Sequence, residues 1–215
     1  MSNTTRIDES EFDASSAPGE LSSAVRRPAD LLSRAQLAQF SERSDRVGLA
    51  YLLGHFALIC LGGWLTIQVA DSAWLLLVFP IHAVVIGFLF SPLHECSHGT
   101  AFRTRWLNEA ALWLVGLVYV VPPYFFRYFH LGHHRYTQVP GKDPSLVLPD
   151  PSNVRQYWWY CAGLWFWYRN LAWIARHTFG TMSPAADLYV PKARRQLLVT
   201  ESRIMVAVYL AVIGV

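Results

Sequence analysis

The amino-acid sequence predicts an all-α integral membrane protein: a transmembrane helical hairpin with further cytosolic and interfacial helices. Three observations lead to this prediction. Of the 215 residues, 53% are hydrophobic and 15% are charged, whereas about 25% are charged in an average soluble domain. Two apolar stretches each approach the ~20 residues that cross a bilayer. Two histidine-rich motifs follow them, HECSH and HLGHH.

Residues 1–46 are predicted to form an N-terminal cytosolic tail. Met1–Val25 is rich in Ser, Asp, Glu and Gly, a composition that buries too little apolar surface to fold, so we expect disorder. In Pro28–Phe40, apolar residues recur at helical spacing after a proline that suits a first turn, which predicts a short helix. The tail has no early apolar run behind a basic start and is not a secretory signal peptide.

The membrane domain is predicted to occupy residues 47–215 and to begin with the hairpin. Its helices are Val47–Val69 and Ala73–Leu93, and only three residues separate them. No Lys or Arg occurs between Arg46 and Arg103, although both flanks are basic. The positive-inside rule therefore places the flanks, the N-terminus and both histidine motifs in the cytosol.

Three later segments complete the prediction. Ala110–Phe126 is barely long enough to span and is broken by Pro122-Pro123, which favours a re-entrant or interfacial segment. Gln156–Ile174 holds five of the nine tryptophans, which favours an interfacial helix, with a true span as the alternative. Ile204–Val215 begins an apolar helix that is too short to span, so we expect a chain truncated at its C-terminus.

The histidine motifs carry the candidate site. On a helix, residues four apart lie on one face, so each motif can present two or more imidazoles to a metal. Neutral imidazole suits iron, copper and zinc, and its other nitrogen needs a partner. The candidate ligands are His94, His98, His130, His133 and His134. The candidate partners are Glu95, Asn108 and Asp143.

The single histidines are interpreted differently. His55 and His82 lie inside the proposed hairpin, and His177 lies near the tryptophan-rich segment. Each is expected to be packed or hydrogen-bonded rather than a ligand.

HECSHGTAF followed by HLGHHRYTQ, after a membrane hairpin, resembles the membrane fatty-acid desaturase and hydroxylase superfamily, whose first box is HxxxH and second HxxHH. The likeness covers about Val47–Ser145, and HECSHGTAFRTRWLN with HHRYTQVPGKDP is also similar to bacterial rhizopine-type oxygenases. It implies two non-haem irons held by the five histidines, and a lipid-like substrate in the membrane. The family's third box is absent from these 215 residues, so we expect the fragment to be inactive alone.

The function implied is that of a fatty-acid (acyl-lipid) desaturase using dioxygen and external electrons. A lipid, hydrocarbon or rhizopine-type hydroxylase is one alternative. A membrane zinc metalloprotease is the other, because HECSH also reads HExxH, with Glu95 activating water.

The expected partners follow from what the sequence lacks. It contains no dinucleotide, flavin, haem or iron–sulfur motif, so electrons must come from a ferredoxin or a b-type cytochrome with its reductase. The net charge of +3 is spread without a basic stripe, which argues against nucleic acid. Four arginines are candidates for docking an acidic donor, and anionic lipid headgroups explain them equally well: Arg103, Arg105, Arg155 and Arg194.

Overall fold

The computed structural model describes residues 31–147 and 151–214, and in these ranges it contains helices and turns and no strand. The predicted all-α class is confirmed. The predicted disorder of Met1–Val25, and Pro28, lie outside the described residues. The α-helices are α1 (Arg34–Phe40), α2 (Asp45–Gln68), α3 (Leu75–Gly87), α4 (Phe90–His98), α5 (Arg105–Tyr119), α6 (Pro123–Tyr136), α7 (Val154–Cys161), α8 (Leu164–Thr178), α9 (Pro184–Tyr189) and α10 (Arg195–Ile213).

The chain divides into two compact units, the first ending at Glu42 and the second beginning at Arg43. In the first, α1 begins with a reciprocal cap. The Ser33 hydroxyl accepts the backbone N–H of Gln36, and the Gln36 side chain accepts the backbone N–H of Ser33. This capping box satisfies two N–H groups that a helix start would otherwise leave unpaired, so α1 begins at Arg34, inside the predicted Pro28–Phe40.

The second unit opens with the hairpin of α2 and α3. Polar side chains join its two helices: the ring of His55 bonds to the carbonyl of Val85 at 2.8 Å, and the hydroxyl of Thr66 lies 3.4 Å from Nδ1 of His82. Gly62 allows this contact, because a Cβ there would lie 2.6 Å from the His82 ring. The predicted hairpin is therefore present, and each of its histidines faces the opposite helix.

Most of the large apolar side chains of the hairpin face outward. No described residue of α2 or α3 is buried, and Leu76 and Ile67 are 83% and 73% exposed. Water would make such a surface unfavourable, whereas lipid would cover it. Three helical stretches are long and apolar enough to cross a membrane: Arg34–Gln68, Leu75–His98 and Lys192–Ile213.

The second of these stretches extends further than predicted. The second span was predicted to end at Leu93. In the structure α3 ends at Gly87, and after a short break α4 continues the stretch through HECSH to His98. Gly99 then ends α4 in the left-handed conformation, at φ 67°, which glycine adopts without a Cβ clash. The first motif therefore forms the C-terminal end of a membrane-length stretch.

The predicted break at the paired prolines is confirmed. α5 ends at Tyr119, α6 begins at Pro123, and the two helices are bent by 98°. Proline lacks a backbone N–H and fixes φ, so it cannot continue α5 but suits the first turn of α6. This bend directs the second motif back toward the first.

Two later predictions need correction. Gln156–Ile174 is not one helix but α7 and α8, divided at Gly163 with φ 69°. The final apolar helix does not start near Ile204: α10 starts at Arg195, within a stretch long enough to span. The prediction left out the polar residues that precede Ile204, of which Glu201 and Ser202 are buried inside the protein.

A hydrophobic core lies beneath α4 and α5 and includes the segment after the first motif. Its members are fully or almost fully buried and come mainly from these two helices. They are Leu89, Leu93, Cys96, Phe102, Ala111, Leu112, Val115 and Val121. The core holds one face of α4 and leaves the histidine face turned toward α6.

Candidate metal site

The first histidine motif is presented by α4. His94 and His98 are one helical turn apart, and their ring centroids lie 4.9 Å from each other. Leu93, Cys96 and Ser97, between and beside them, are buried. The helix therefore anchors its apolar face in the core and directs both imidazoles to the opposite side.

The second motif is presented by α6. His130 and His134 are also one turn apart, with ring centroids at 4.4 Å, and His130 is 6% exposed. Between them, Gly132 packs under Tyr189 of α9, where a Cβ would meet that ring at 2.9 Å. The close approach of α9 explains why a glycine stands inside HLGHH.

The two motifs converge on one point. The Nε2 atoms of His98 and His130 are 2.9 Å apart, those of His130 and His134 are 2.9 Å apart, and those of His98 and His134 are 3.2 Å apart. His94 completes the group, since one ring nitrogen from each of the four residues lies within 4.8 Å of the others.

This arrangement suits a metal better than hydrogen bonds. In a neutral imidazole each nitrogen is either a donor or an acceptor, so three nitrogens in mutual contact must include at least one like pair. Two nitrogens bound at right angles to one metal at about 2.1 Å lie about 3.0 Å apart, close to the observed separations. The four-histidine donor set therefore fits one transition-metal ion, and imidazole is a ligand that iron accepts.

His133 stands beside the cluster rather than in it. Its Nδ1 lies 2.9 Å from Oδ1 of Asp143, a carboxylate that is 1% exposed. Burial raises the pKa of Asp143, but hydrogen bonds from His133, Ser145 and the Gln138 backbone outweigh it and lower the pKa to about 2. Asp143 is thus a charged acceptor that fixes the His133 ring and leaves its Nε2 as the nitrogen for a metal.

Of the other two predicted histidine partners, Glu95 contacts a histidine of the cluster and Asn108 does not. Oε1 of Glu95 lies 3.1 Å from Nδ1 of His94, and its Oε2 accepts the Thr100 hydroxyl at 2.7 Å. Asn108 does not contact the histidines: its amide bonds to the backbone of Phe102 and Thr104. Its role is to hold the loop that follows the first motif.

Arg127, which the sequence reading passed over, joins the two motifs. It is 5% exposed, and its Nε donates to the carbonyl of Ser97 at 3.1 Å, while Nη2 of the same guanidinium group donates to Oε1 of Glu109 at 2.7 Å. One side chain of α6 thereby grips both α4 and α5. An arginine within the apolar run PYFFRYFH was a detectable signal, because a charge in such a setting needs a specific partner.

Glu201 on α10 was also overlooked. Its carboxylate is 1% exposed and accepts the backbone N–H groups of Tyr124 and Phe125 at 2.6 and 3.0 Å. These donors belong to the first turn of α6, which has no partner for them within the helix. Glu201 therefore fixes the start of the helix that carries HLGHH.

The single histidines lie apart from the cluster. His55 and His82 contact the opposite helix inside the hairpin. His177 is fully buried in α8, where its Nε2 lies 3.2 Å from the Ser183 hydroxyl. Burial, with a smaller contribution from Arg176, lowers the pKa of His177 to about 4. Its ring is held neutral.

Comparison with known proteins places the same region in one family. The family model described as fatty acid desaturase matches residues 72–215. That match contains both motifs, the bent helix pair α5–α6 and every helix that follows.

Two curated relatives agree. A sphingolipid delta(4)-desaturase/C4-monooxygenase of Rattus norvegicus is 28% identical over 166 residues, which is 73% of this chain and 46% of that protein. An sn-1 oleoyl-lipid 12-desaturase of Picosynechococcus sp. is 25% identical over 128 residues, 56% of this chain and 35% of that protein. The chain thus spans less than half the length of these relatives. No solved structure matches it.

Proposed function

The chain belongs to the fatty acid desaturase family, and from that premise we propose that its histidines bind two non-haem irons and that the protein desaturates a lipid acyl chain. The observation that carries this proposal is the convergence of His98, His130 and His134 nitrogens at 2.9–3.2 Å, with His94 beside them. This group would hold one iron, and His133 would serve the second. When bound, the irons supply the reduction of dioxygen and the oxidation of an unactivated C–H bond.

The residues of this chain contribute position and polarity. Asp143 and Glu95 each engage the Nδ1 atom of a histidine, which fixes the ring orientation and the tautomer and raises ligand basicity. Arg127 and Glu201 hold α6 against α4 and α10. The reacting carbon is then brought to a rigid site, which is the main contribution a protein makes to such chemistry.

Hydroxylation is the second candidate. Desaturation and hydroxylation begin with removal of hydrogen from the same kind of C–H bond, so a metal site of this composition serves either. The relative from Rattus norvegicus is named for both a desaturase and a monooxygenase reaction. We place desaturation first because both relatives carry it in their names.

The zinc-protease alternative is disfavoured by Glu95. In an HExxH protease the glutamate must be available to a metal-bound water. Here both carboxylate oxygens are engaged, one with His94 and one with Thr100. Two of the clustered histidines also come from a second motif, which such a protease does not need.

We further propose a multi-pass membrane setting with the histidine motifs and the N-terminus on the cytosolic side. Arg43, Arg46, Arg103 and Arg105 flank the base of the hairpin, and Arg43 donates to the carbonyl of Gly99, next to the first motif. This basic rim would face the cytosol. A ferredoxin or a b-type cytochrome with its reductase would deliver electrons there, and lipid would approach from the membrane.

The test is turnover by the purified full-length protein, with iron, a reducing system and a saturated acyl lipid. Mass spectrometry of the released chains should show loss of two hydrogens, or gain of one oxygen for the hydroxylase. Glu95→Gln should weaken iron binding about 10–100-fold, because a partner of His94 is changed, but should leave the four clustered histidines able to hold iron. Zinc at one per chain, with peptide hydrolysis that Glu95→Gln abolishes, would contradict the proposal.

A further inference from the structure

Two phenylalanines stand one helical turn before the histidine motifs and contact them. On α4, the Phe90 ring lies 5.9 Å from that of His94. On α6, the Phe126 ring is stacked on His130 at 5.3 Å with an interplanar angle of 5°. The two phenylalanines also meet edge to face at 6.0 Å. These contacts define an aromatic pair, Phe90 and Phe126, that covers one side of the cluster.

The aromatic pair covers the apolar side. Phe90 belongs to the membrane-length stretch Leu75–His98 and is 47% exposed, with the outward-facing apolar surface of α3 preceding it. The opposite end of α4 meets polar groups, since Gly99 accepts Arg43 and Thr100 bonds to Glu95. The end of α6 is likewise polar, with His133, His134 and Arg135 in its last turn.

We propose that Phe90 and Phe126 form the wall against which the substrate's hydrocarbon chain lies, and that their volume selects the carbon presented to the metal. This inference rests on the proposed function and deepens it. A hydrocarbon that arrives from the lipid must pass the apolar side of the cluster, because the other side offers charged and hydrogen-bonding groups that hydrocarbon does not satisfy.

Ring volume would act on selection in a simple way. Successive carbons of an acyl chain lie only about 1.3 Å apart along it, and misplacement of about 1 Å is enough to change the outcome of a reaction. A benzyl group is several times longer than that step. Removing one ring would let the chain shift along the wall by one or more carbons, while the metal ligands keep their positions.

The first experiment measures where the chain is oxidised. Full-length wild type, Phe90→Ala, Phe90→Leu and Phe88→Ala are given one saturated phosphatidylcholine, and positional products are resolved by mass spectrometry. Phe88 is the matched control, because it lies on the same stretch and is 64% exposed. We expect Phe90→Ala to raise the minor positional products at least fivefold, Phe90→Leu less, and Phe88→Ala not at all. Iron content is measured in each variant.

The second experiment does not depend on turnover. A phosphatidylcholine with a mid-chain diazirine is photolysed with the full-length protein in nanodiscs, and labelled peptides are identified. Excess unlabelled lipid should reduce labelling around Phe90 and Phe126 by competition, whereas it should not reduce labelling around Leu76, on the open surface.

The outcomes are separable. Active variants with the wild-type positional distribution, or labelling near Phe90 and Phe126 that excess lipid does not reduce, would overturn the inference. A wild type that oxidises no lipid would contradict the proposed function, and the labelling result would still decide whether the aromatic pair receives an acyl chain.

Discussion

The hairpin of α2 and α3 and the region of α4 to α6 both contain histidines, but they use them differently. In the hairpin, His55 and His82 each meet a single group of the opposite helix, Val85 and Thr66. In the second region, four histidines from two helices meet one another. A lone histidine in an apolar helix thus joins helices, whereas convergence of several imidazoles is what indicates a metal.

The two regions also differ in what surrounds them. No described residue of the hairpin helices is fully buried. Leu52, Phe56, Ile59 and Ile86 pack partly against the core, and the outward-facing apolar side chains depend on lipid for cover. The motif-bearing helices rest on a buried core, and hydrogen bonds of the buried side chains of Arg127 and Glu201 hold them in place. One region anchors the protein, and the other holds a site whose geometry must stay fixed.

The largest expected effect comes from removing a histidine in each region. His130→Ala should lower bound iron and reduce turnover by more than about 100-fold, because a ligand is lost at the centre of the cluster. His82→Ala should leave iron stoichiometry unchanged. Metal content and turnover are measured on the two purified variants. Equal loss of iron from both would contradict the difference between the two regions.

His177 provides a third kind of histidine, buried in the same unit as the cluster but apart from it. Its lowered pKa, about 4 against an ordinary 6.5, means that the unfolded chain takes up a proton first as pH falls. Its contribution to stability should be complete above pH 6.5 and decline toward pH 4 by about 3 kcal/mol.

Thermal unfolding in detergent across this pH range measures the effect. His177→Gln should flatten the decline and leave iron binding intact, because glutamine does not titrate. An unchanged pH profile in this variant would assign the decline to other groups.

The hydrogen bonds of Arg127 to α4 and α5 are expected to contribute slightly less to the free energy of unfolding. Arg127→Met should cost about 2–3 kcal/mol, below the about 3–5 kcal/mol of a fully buried pair, because Glu109 is partly exposed. Iron affinity should fall with stability, since the motifs lose a connection. Arg203→Met, which removes an exposed arginine bonded to Thr178, is the control. Equal losses for both arginines would refute the special role of Arg127.

The smallest effect concerns packing in the hairpin. Gly62→Ala would place a Cβ 2.6 Å from the His82 ring, whereas Gly54→Ala meets nothing within 4 Å. We expect a cost of about 1–3 kcal/mol for the first substitution and none for the second, with iron content unchanged in both. Unfolding in detergent distinguishes them, and iron loss on Gly62→Ala would show that the hairpin and the site are coupled.

The sequence was informative where a local pattern decides the structure. Apolar length predicted the hairpin, paired prolines predicted the bend before Pro123, and the i, i+4 spacing predicted which histidines share a face. The resemblance to the desaturase superfamily is confirmed by the family match.

What escaped prediction depends on contacts between distant segments. The predicted start at Ile204 missed the first turns of α10, because nothing local shows that the carboxyl group of Glu201 is buried against the backbone of Tyr124 and Phe125. Asn108 looked like a histidine partner by proximity in sequence, but it bonds to the backbone of Phe102 instead. Such pairings are set by how helices return in space, and one sequence does not contain that information.

X-ray absorption at the iron edge of the full-length protein shows whether histidines of both motifs bind iron together. We predict several imidazole nitrogen ligands at about 2.0–2.2 Å, fewer in His98→Ala and in His130→Ala, and the wild-type spectrum in His55→Ala. A wild-type spectrum without histidine ligands would contradict this prediction. So would a change of the spectrum in only one of the two variants, His98→Ala and His130→Ala.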